Sequence, residues 1–232
     1  MNIMLISYPH LPVCRNLMYI AYKYLKKNKY NVITLGPEPV DGNINKSDNK
    51  ILKSTEKSGM SFCGVLKIPI CLIKTIFLIK QNNPDIVHFL HKHIWNYPII
   101  YFCKIFFKNI KIVHSIHDPI GHEGDRVQSG VRLYNRKIIK LVDGVIVHSK
   151  NAYNQLMNNY MVNCRVKIVY FSNTELLPFR EKELTKELLF FGRINKYKGC
   201  DMLPKLSDEL LKMDSDIQIK VVGKASDDLE EE

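Results

Sequence analysis

The sequence predicts an α/β fold: a Rossmann-like, doubly wound parallel sheet followed by an incomplete second one. Three observations carry this. Short apolar runs alternate with helical patterns along most of the 232 residues, the order that gives a parallel sheet with helices on its faces. The runs at 2–7, 86–90 and 144–148 are continuous, as strands buried on both faces are. The pattern then restarts at Glu187, after an aperiodic stretch at 172–186 that holds Pro178 and a cluster of charges.

The elements follow in order. Residues 2–7 read as the first strand, with a loop through Pro9, His10 and Pro12, a helix from about Asn16 to Lys27, and a second strand at 30–35. Residues 37–61 are rich in Pro, Gly, Asn, Ser, Asp and Lys and read mainly as loop, with room for a short strand. From Val65 to Gln81 the residues Leu66, Ile70, Ile73, Phe77 and Leu78 recur at helical spacing, and Pro69 is expected in the first turn, where a missing N–H costs little. A strand at 85–90, a helix at 95–107, a strand at 111–116 and a helix at 131–141 come next. Residues 144–148, 151–159 and 166–171 complete the domain as strand, helix and strand. The expected boundaries are a first domain at 1–174, a linker at 175–186 and the start of a second domain at 187–232.

A composition 46% hydrophobic allows a substantial core. Six scattered cysteines without a C-x-x-C pair argue for reduced thiols and a cytoplasmic location rather than a disulfide framework. The start, Met-Asn-Ile-Met-Leu-Ile-Ser, turns polar too soon for a secretory signal. The most apolar run, 68–79, contains Lys74 and is too short to span a bilayer. Residues 1–180 carry 25 Lys and Arg against 10 Asp and Glu, and residues 181–232 carry 9 against 13, which together give +11. A basic first part points to an anionic partner: nucleic acid, a membrane surface or a phosphate-bearing substrate.

The densest chemistry lies in Leu188-Leu189-Phe190-Phe191-Gly192-Arg193-Ile194-Asn195-Lys196-Tyr197-Lys198-Gly199. An apolar strand stops at Gly192, a basic loop follows, and Leu203, Leu206, Leu210 and Leu211 mark a helix face. Strand-to-helix loops of this kind line the ligand crevice of parallel α/β folds, and a helix start with nearby cations suits phosphate. If the first sheet is parallel, the residues after its strands share one rim, which gathers His10, His91, His93, His117, Asp118, His122 and Ser149. Within His117-Asp118-Pro119-Ile120-Gly121-His122-Glu123-Gly124, a proline and glycines fix a tight loop. His117 stands at the strand end, within reach of a substrate hydroxyl. The alternative is that His117 only caps the strand.

F-G-R-x-x-x-x-K-G-x-D-x-L closely resembles the opening of the donor-binding domain of family-4 glycosyltransferases of the GT-B fold. The segments P-D-I-V-H-F-L-H, V-H-S-I-H-D-P and D-G-V-I-V-H-S-K resemble their acceptor-binding domain, in the same order. The resemblance implies transfer of a sugar, with retention, from a nucleotide-diphosphate-sugar donor to a glycan or lipid-linked acceptor, as in bacterial-type surface polysaccharide or glycolipid synthesis. It implies Arg193, Lys198 and Gly192 at the donor, His117 at the reacting centre, and His10, His91, Asp118 and His122 toward the acceptor. It also implies no metal and no cofactor beyond the nucleotide sugar itself. Two departures stand out: Pro9-His10-Leu11-Pro12-Val13-Cys14 replaces a Gly-Gly loop, and Ser172-Asn173-Thr174 replaces an Asn-Gly.

His88-x-x-His91-x-His93 has the residue types for zinc, but strand alternation is expected to turn His88 from the other two. Glu175 and Glu183 have the spacing of the family's carboxylate pair but precede the F-G-R loop. No stacking motif supports nucleic acid. The lysine-bearing apolar helices at 65–81 and 95–111 leave open docking on the anionic inner face of a plasma membrane. Because 187–232 hold one βαβ unit, the chain is expected to be truncated and weakly active or inactive alone. A non-catalytic glycan- or acceptor-binding module is the alternative.

Overall fold

The computed structural model describes residues 1–9, 12–40, 44–52, 62–121, 128–170, 185–192, 194, 198–213 and 216–223, with backbone only at 12, 62–68, 128 and 129. The chain divides into two units, residues 1–120 with 129–174, and residues 121–128 with 175–232.

In the first unit β1 (Asn2–Ile6), β2 (Asn31–Gly36), β3 (Asn49–Ile51), β4 (Ile86–Phe89), β5 (Lys111–Ser115), β6 (Gly144–Val147) and β7 (Arg165–Ile168) form one sheet. Its order is β3-β2-β1-β4-β5-β6-β7, and every pairing is parallel. The helices α1 (Pro12–Lys27), α2 (Phe62–Asn82), α3 (Asn96–Phe106), α4 (Gln128–Ile139) and α5 (Lys150–Asn159) connect the strands.

Strand alternation divides the core in two. Met4, Ile6, Val87, Phe89, Ile112, Val145 and Val147 point to one face. There they meet Cys71 and Ile79 of α2, Ile99, Ile100 and Cys103 of α3, Ile138 and Ile139 of α4, and Ala152 and Leu156 of α5. Ile3, Leu5 and Val32 point to the other face and pack on Met18 and Tyr22 of α1. Both faces of β1 are therefore buried, as its continuous apolar run requires. The wholly buried Tyr8 joins the layers, its hydroxyl donating to Thr75 Oγ1 at 3.1 Å.

Two expectations are corrected. The first helix starts at Pro12, not near Asn16; the first helical position tolerates a residue without N–H. Pro69 lies in the interior of α2, because the helix begins at Phe62, three residues before the predicted start. The loop after β2 holds β3, the short strand for which the sequence left room, paired with β2 at the sheet edge.

In the second unit β8 (Glu187–Phe191) pairs in parallel with β9 (Gln218–Val222). A 3-10 turn (Cys200–Met202) and α6 (Leu203–Met213) lie between them. None of its described residues is buried; Leu189 is 63% and Phe191 79% exposed. Among the described residues, no helix is long and apolar enough to cross a membrane.

Candidate functional site

The chain leaves β1 toward β2 and returns to β4 on β1's other side. Loops beyond the carboxyl ends of these two strands diverge, and the crevice between them is where such sheets bind ligands. Ser7 follows β1 and His91 follows β4; Ser7 Oγ and His91 Nδ1 lie 2.8 Å apart across this switch point.

From His91 a row of imidazoles runs along the rim. The rings of His91 and His117 stack at 5.1 Å between centroids with planes 9° apart, and those of His117 and His148 at 4.7 Å and 29°. The spacing has a simple origin. β4, β5 and β6 are successive neighbours, neighbouring strands lie about 4.8 Å apart, and each carries one of these histidines just past its end.

Hydrogen bonds fix the tautomers. A carbonyl only accepts, so His117 Nε2–H donates to Leu90 O at 2.9 Å and His148 Nδ1–H to Val169 O at 2.8 Å. In neutral His117 the acceptor nitrogen is therefore Nδ1. Behind the row, His88 Nε2 lies 2.9 Å from Ser115 Oγ. On the opposite face of the sheet His114 Nδ1–H donates to Ser115 O at 2.7 Å. His114 Nε2 lies 2.9 Å from the Tyr134 hydroxyl and 3.1 Å from Asn96 Nδ2, which also donates to His91 O at 2.8 Å.

Four of these rings, His88, His91, His114 and His148, are held below the ordinary histidine value. Burial, and then neighbouring histidines, lower His88 and His91 to about 3. Burial lowers His114 to about 4 and also lowers His148.

The loop after β5 is pinned from outside the row. Asn135 Nδ2, on α4, donates to Asp118 O at 3.2 Å and Pro119 O at 2.8 Å, and the Tyr160 hydroxyl donates to Pro119 O at 2.5 Å. Asp118 is exposed, and Gly121 has φ 76°, the left-handed turn its lack of a side chain permits.

The structure brings His91 and His117 together with Asp118 beside them. Gly192 (φ 136°) and the exposed Lys198 belong to the second unit, described by itself. His10, His122 and Arg193 lie outside the described residues, as do Glu175 and Glu183. Ser149 caps α5 instead, accepting from the Ala152 N–H at 3.0 Å. His88 bonds Ser115 and His91 bonds Ser7, while His93 packs on Tyr8 and Trp95. His91 follows the end of β4, where strand alternation no longer governs its direction. Among the described residues, no three His, Cys, Asp or Glu side chains converge on a metal position.

Residues 17–171 match the family model described as Glycosyltransferase Family 4. The chain belongs to Glycosyltransferase Family 4. A search of curated proteins gives no match. Solved structures show the fold this Family 4 chain shares. A putative UDP-N-acetylglucosamine 2-epimerase from Listeria monocytogenes is 12% identical with a TM-score of 0.62, over 96% of this chain and 61% of that one. S. aureus MnaA with UDP is 13% identical with a TM-score of 0.56, over 97% and 63%. A glycosyltransferase from Rickettsia africae is 17% identical with a TM-score of 0.54, over 97% and 69%. The fold is thus of the GT-B type, and the chain spans about three fifths of the length of the first two structures.

The Family 4 chain also holds site residues that its sequence did not single out: His114, His148, Asn96, Asn135, Tyr134 and Tyr160. His148 was within reach, since it closes the run Gly-Val-Ile-Val that predicts β6. His114 is an interior residue of β5, and Asn96, Asn135, Tyr134 and Tyr160 stand on helices or a helix end, where a lone Asn or Tyr gives no pattern.

Proposed function

We propose that this chain belongs to an enzyme that moves a sugar from a nucleotide-diphosphate-sugar donor to a glycan or lipid-linked acceptor with retention. The observation that carries the reading is His117, held in one orientation and one tautomer at the switch-point rim of a Family 4 fold. With Nε2–H committed to Leu90 O, His117 turns its other ring edge toward a donor-sugar hydroxyl. Arg193 and Lys198 supply the charge that stabilises the diphosphate as its bond to the anomeric carbon breaks. The acceptor hydroxyl oxygen forms the new bond to that carbon, and its proton leaves with the diphosphate. The family resemblance assigns His10, His91, Asp118 and His122 to the acceptor. No metal or cofactor enters the scheme. The reading sets the enzyme in the cytoplasm, on the inner face of a plasma membrane, in surface polysaccharide or glycolipid synthesis.

Because the chain spans part of the length of its structural neighbours, binding rather than turnover is the readout. UDP and GDP are titrated calorimetrically into the chain and its Arg193→Ala, Lys198→Ala and His117→Ala variants. The expected result is weaker nucleotide binding in the first two, and in the third an effect on the nucleotide sugar alone. Equal affinity in all four overturns the phosphate assignment. Glycan binding with no nucleotide binding identifies a binding module instead.

A further inference from the structure

The outward faces of α2 and α3 are apolar where the surface of a globular domain is normally polar. On α2, Ile73 and Phe77 are 66% and 61% exposed, while Cys71, Thr75 and Ile79 fill the inner face. The neighbouring α3 exposes Tyr101, Ile105 and Phe106 and buries Ile99, Ile100 and Cys103. Exposed large side chains scattered singly need no explanation; two adjacent helices that both turn such a stripe outward do.

The charge carried by this stretch of chain is nearly all of one sign. Residues 57–117 contain eight lysines and a single acidic residue, Asp85, whose carboxylate accepts the Asn2 N–H at 2.6 Å. Lys104 is engaged by Asp143 at 3.1 Å. Lys74, Lys80 and Lys108 are exposed beside the stripes. Lys80 and Lys108 also line a cleft of ≈ 360 Å³ between the carboxyl ends of the two helices, together with Ile105 and Phe106 and without any carboxylate. Apolar side chains edged by lysines, beside a cleft without a carboxylate, complement a bilayer whose headgroups are anionic.

We propose that the α2–α3 face is the membrane-docking surface of this protein and that its occupant is an anionic lipid bilayer. Phe77, Tyr101 and Ile105 enter the headgroup boundary while Lys74, Lys80 and Lys108 pair with lipid phosphates. The amino end of α3 ties this face to the candidate site: Asn96 Nδ2 donates to His91 O, and the neighbouring Ile94 is 71% exposed. A lipid-linked acceptor held in the bilayer thereby meets the histidine rim from the α3 side. That last step rests on the sugar-transfer reading; the docking itself needs neither nucleotide nor glycan, so the two can fail separately.

The test is cosedimentation of the full chain with phosphatidylcholine vesicles, with and without 30% phosphatidylglycerol. Binding is expected only with the anionic lipid and is lost in high salt. Each lysine near an anionic surface changes the partition coefficient about five-fold. The Lys74→Glu, Lys80→Glu, Lys108→Glu triple variant should therefore bind at least about 100-fold more weakly. A control with Lys23→Glu, Lys27→Glu and Lys29→Glu, on and just after α1, has the same net charge and should lose far less. In Phe77→Trp, emission should shift to the blue on anionic vesicles, over the constant signal of buried Trp95. Unchanged circular dichroism in all variants excludes misfolding. Equal losses in the two triple variants, binding indifferent to lipid charge, or an unshifted tryptophan would overturn the proposal. So would a lipid-free dimer that Phe77→Ser abolishes, which assigns the face to a second copy.

Discussion

The side-chain amide of Asn135 donates to the carbonyl of Pro119 at 2.8 Å, so that α4, the helix the loop after His117 leads into, reaches back and holds that loop. Asn135 is 3% exposed, so water does not readily replace it. Asn135→Ala is expected to destabilise the fold by about 1–3 kcal/mol, the range for stranding a buried polar partner. Tyr160→Phe should cost less, since it removes the other donor to the same carbonyl. Urea denaturation measures the loss, and faster hydrogen exchange confined to residues 117–121 locates it. Unchanged exchange there would show that the loop is held by other means.

Acid should unfold the first unit earlier than its carboxylates alone predict. His88 and His91 lie near 3 and His114 near 4 in the folded chain, all below the ordinary histidine value of about 6.5. A depressed histidine leaves stability untouched above its unfolded pKa. As pH falls below about 6.5 the unfolded state takes up protons that the folded state refuses. Stability then drains until pH reaches about 4 for His114 and about 3 for the other two. Three such groups remove at most roughly 4 kcal/mol between pH 7 and 5.5. Denaturation at several pH values reads the slope, and His88→Asn should flatten it. A flat profile across this window contradicts the lowered values of His88, His91 and His114.

Asp143 offers a contrast between a backbone bond and an ion pair. Its carboxylate accepts the Ile112 N–H at 2.8 Å and pairs with Lys104 at 3.1 Å, with 27% of its side chain exposed. Lys104→Ala is expected to cost no more than about 1 kcal/mol, as partly exposed pairs do. Asp143→Ala should cost about 1–3 kcal/mol, because the N–H at the start of β5 loses its acceptor. Equal losses in the two variants would assign the whole effect to the ion pair.

Gly192 takes φ 136°, outside the range open to other residues, and its N–H donates to Val222 O at 3.0 Å. Gly192→Ala is expected to strain the strand end by about 1–3 kcal/mol and to loosen β8 and β9, leaving the first unit as it was. Hydrogen exchange of the two strands checks this. Undiminished protection there would mean that the turn relaxes without cost.

Much of this molecule is written locally. The continuous apolar runs at 2–7, 86–90 and 144–148 dictate strands buried on both faces, so the parallel sheet follows from periodicity and burial alone. The Leu203, Leu206 and Leu210 spacing dictates α6 in the same way. Boundaries were less legible where proline and local propensity pulled apart, as at Pro12 and Pro69, because tertiary packing sets where a helix actually starts.

The sequence by itself determined that histidines follow the strands; only the tertiary structure decided that they form a row. Strand order is a long-range property: β4, β5 and β6 become neighbours through pairings between segments some 25–30 residues apart, and only then does a spacing near 4.8 Å bring His91, His117 and His148 face to face. The same holds for Asn135 and Tyr160, which carry no signal alone and matter because α4 and the end of α5 bring them to the Pro119 carbonyl. Pattern along a chain reports which face of its own element a residue occupies. Which other element it meets depends on the closure of the whole sheet.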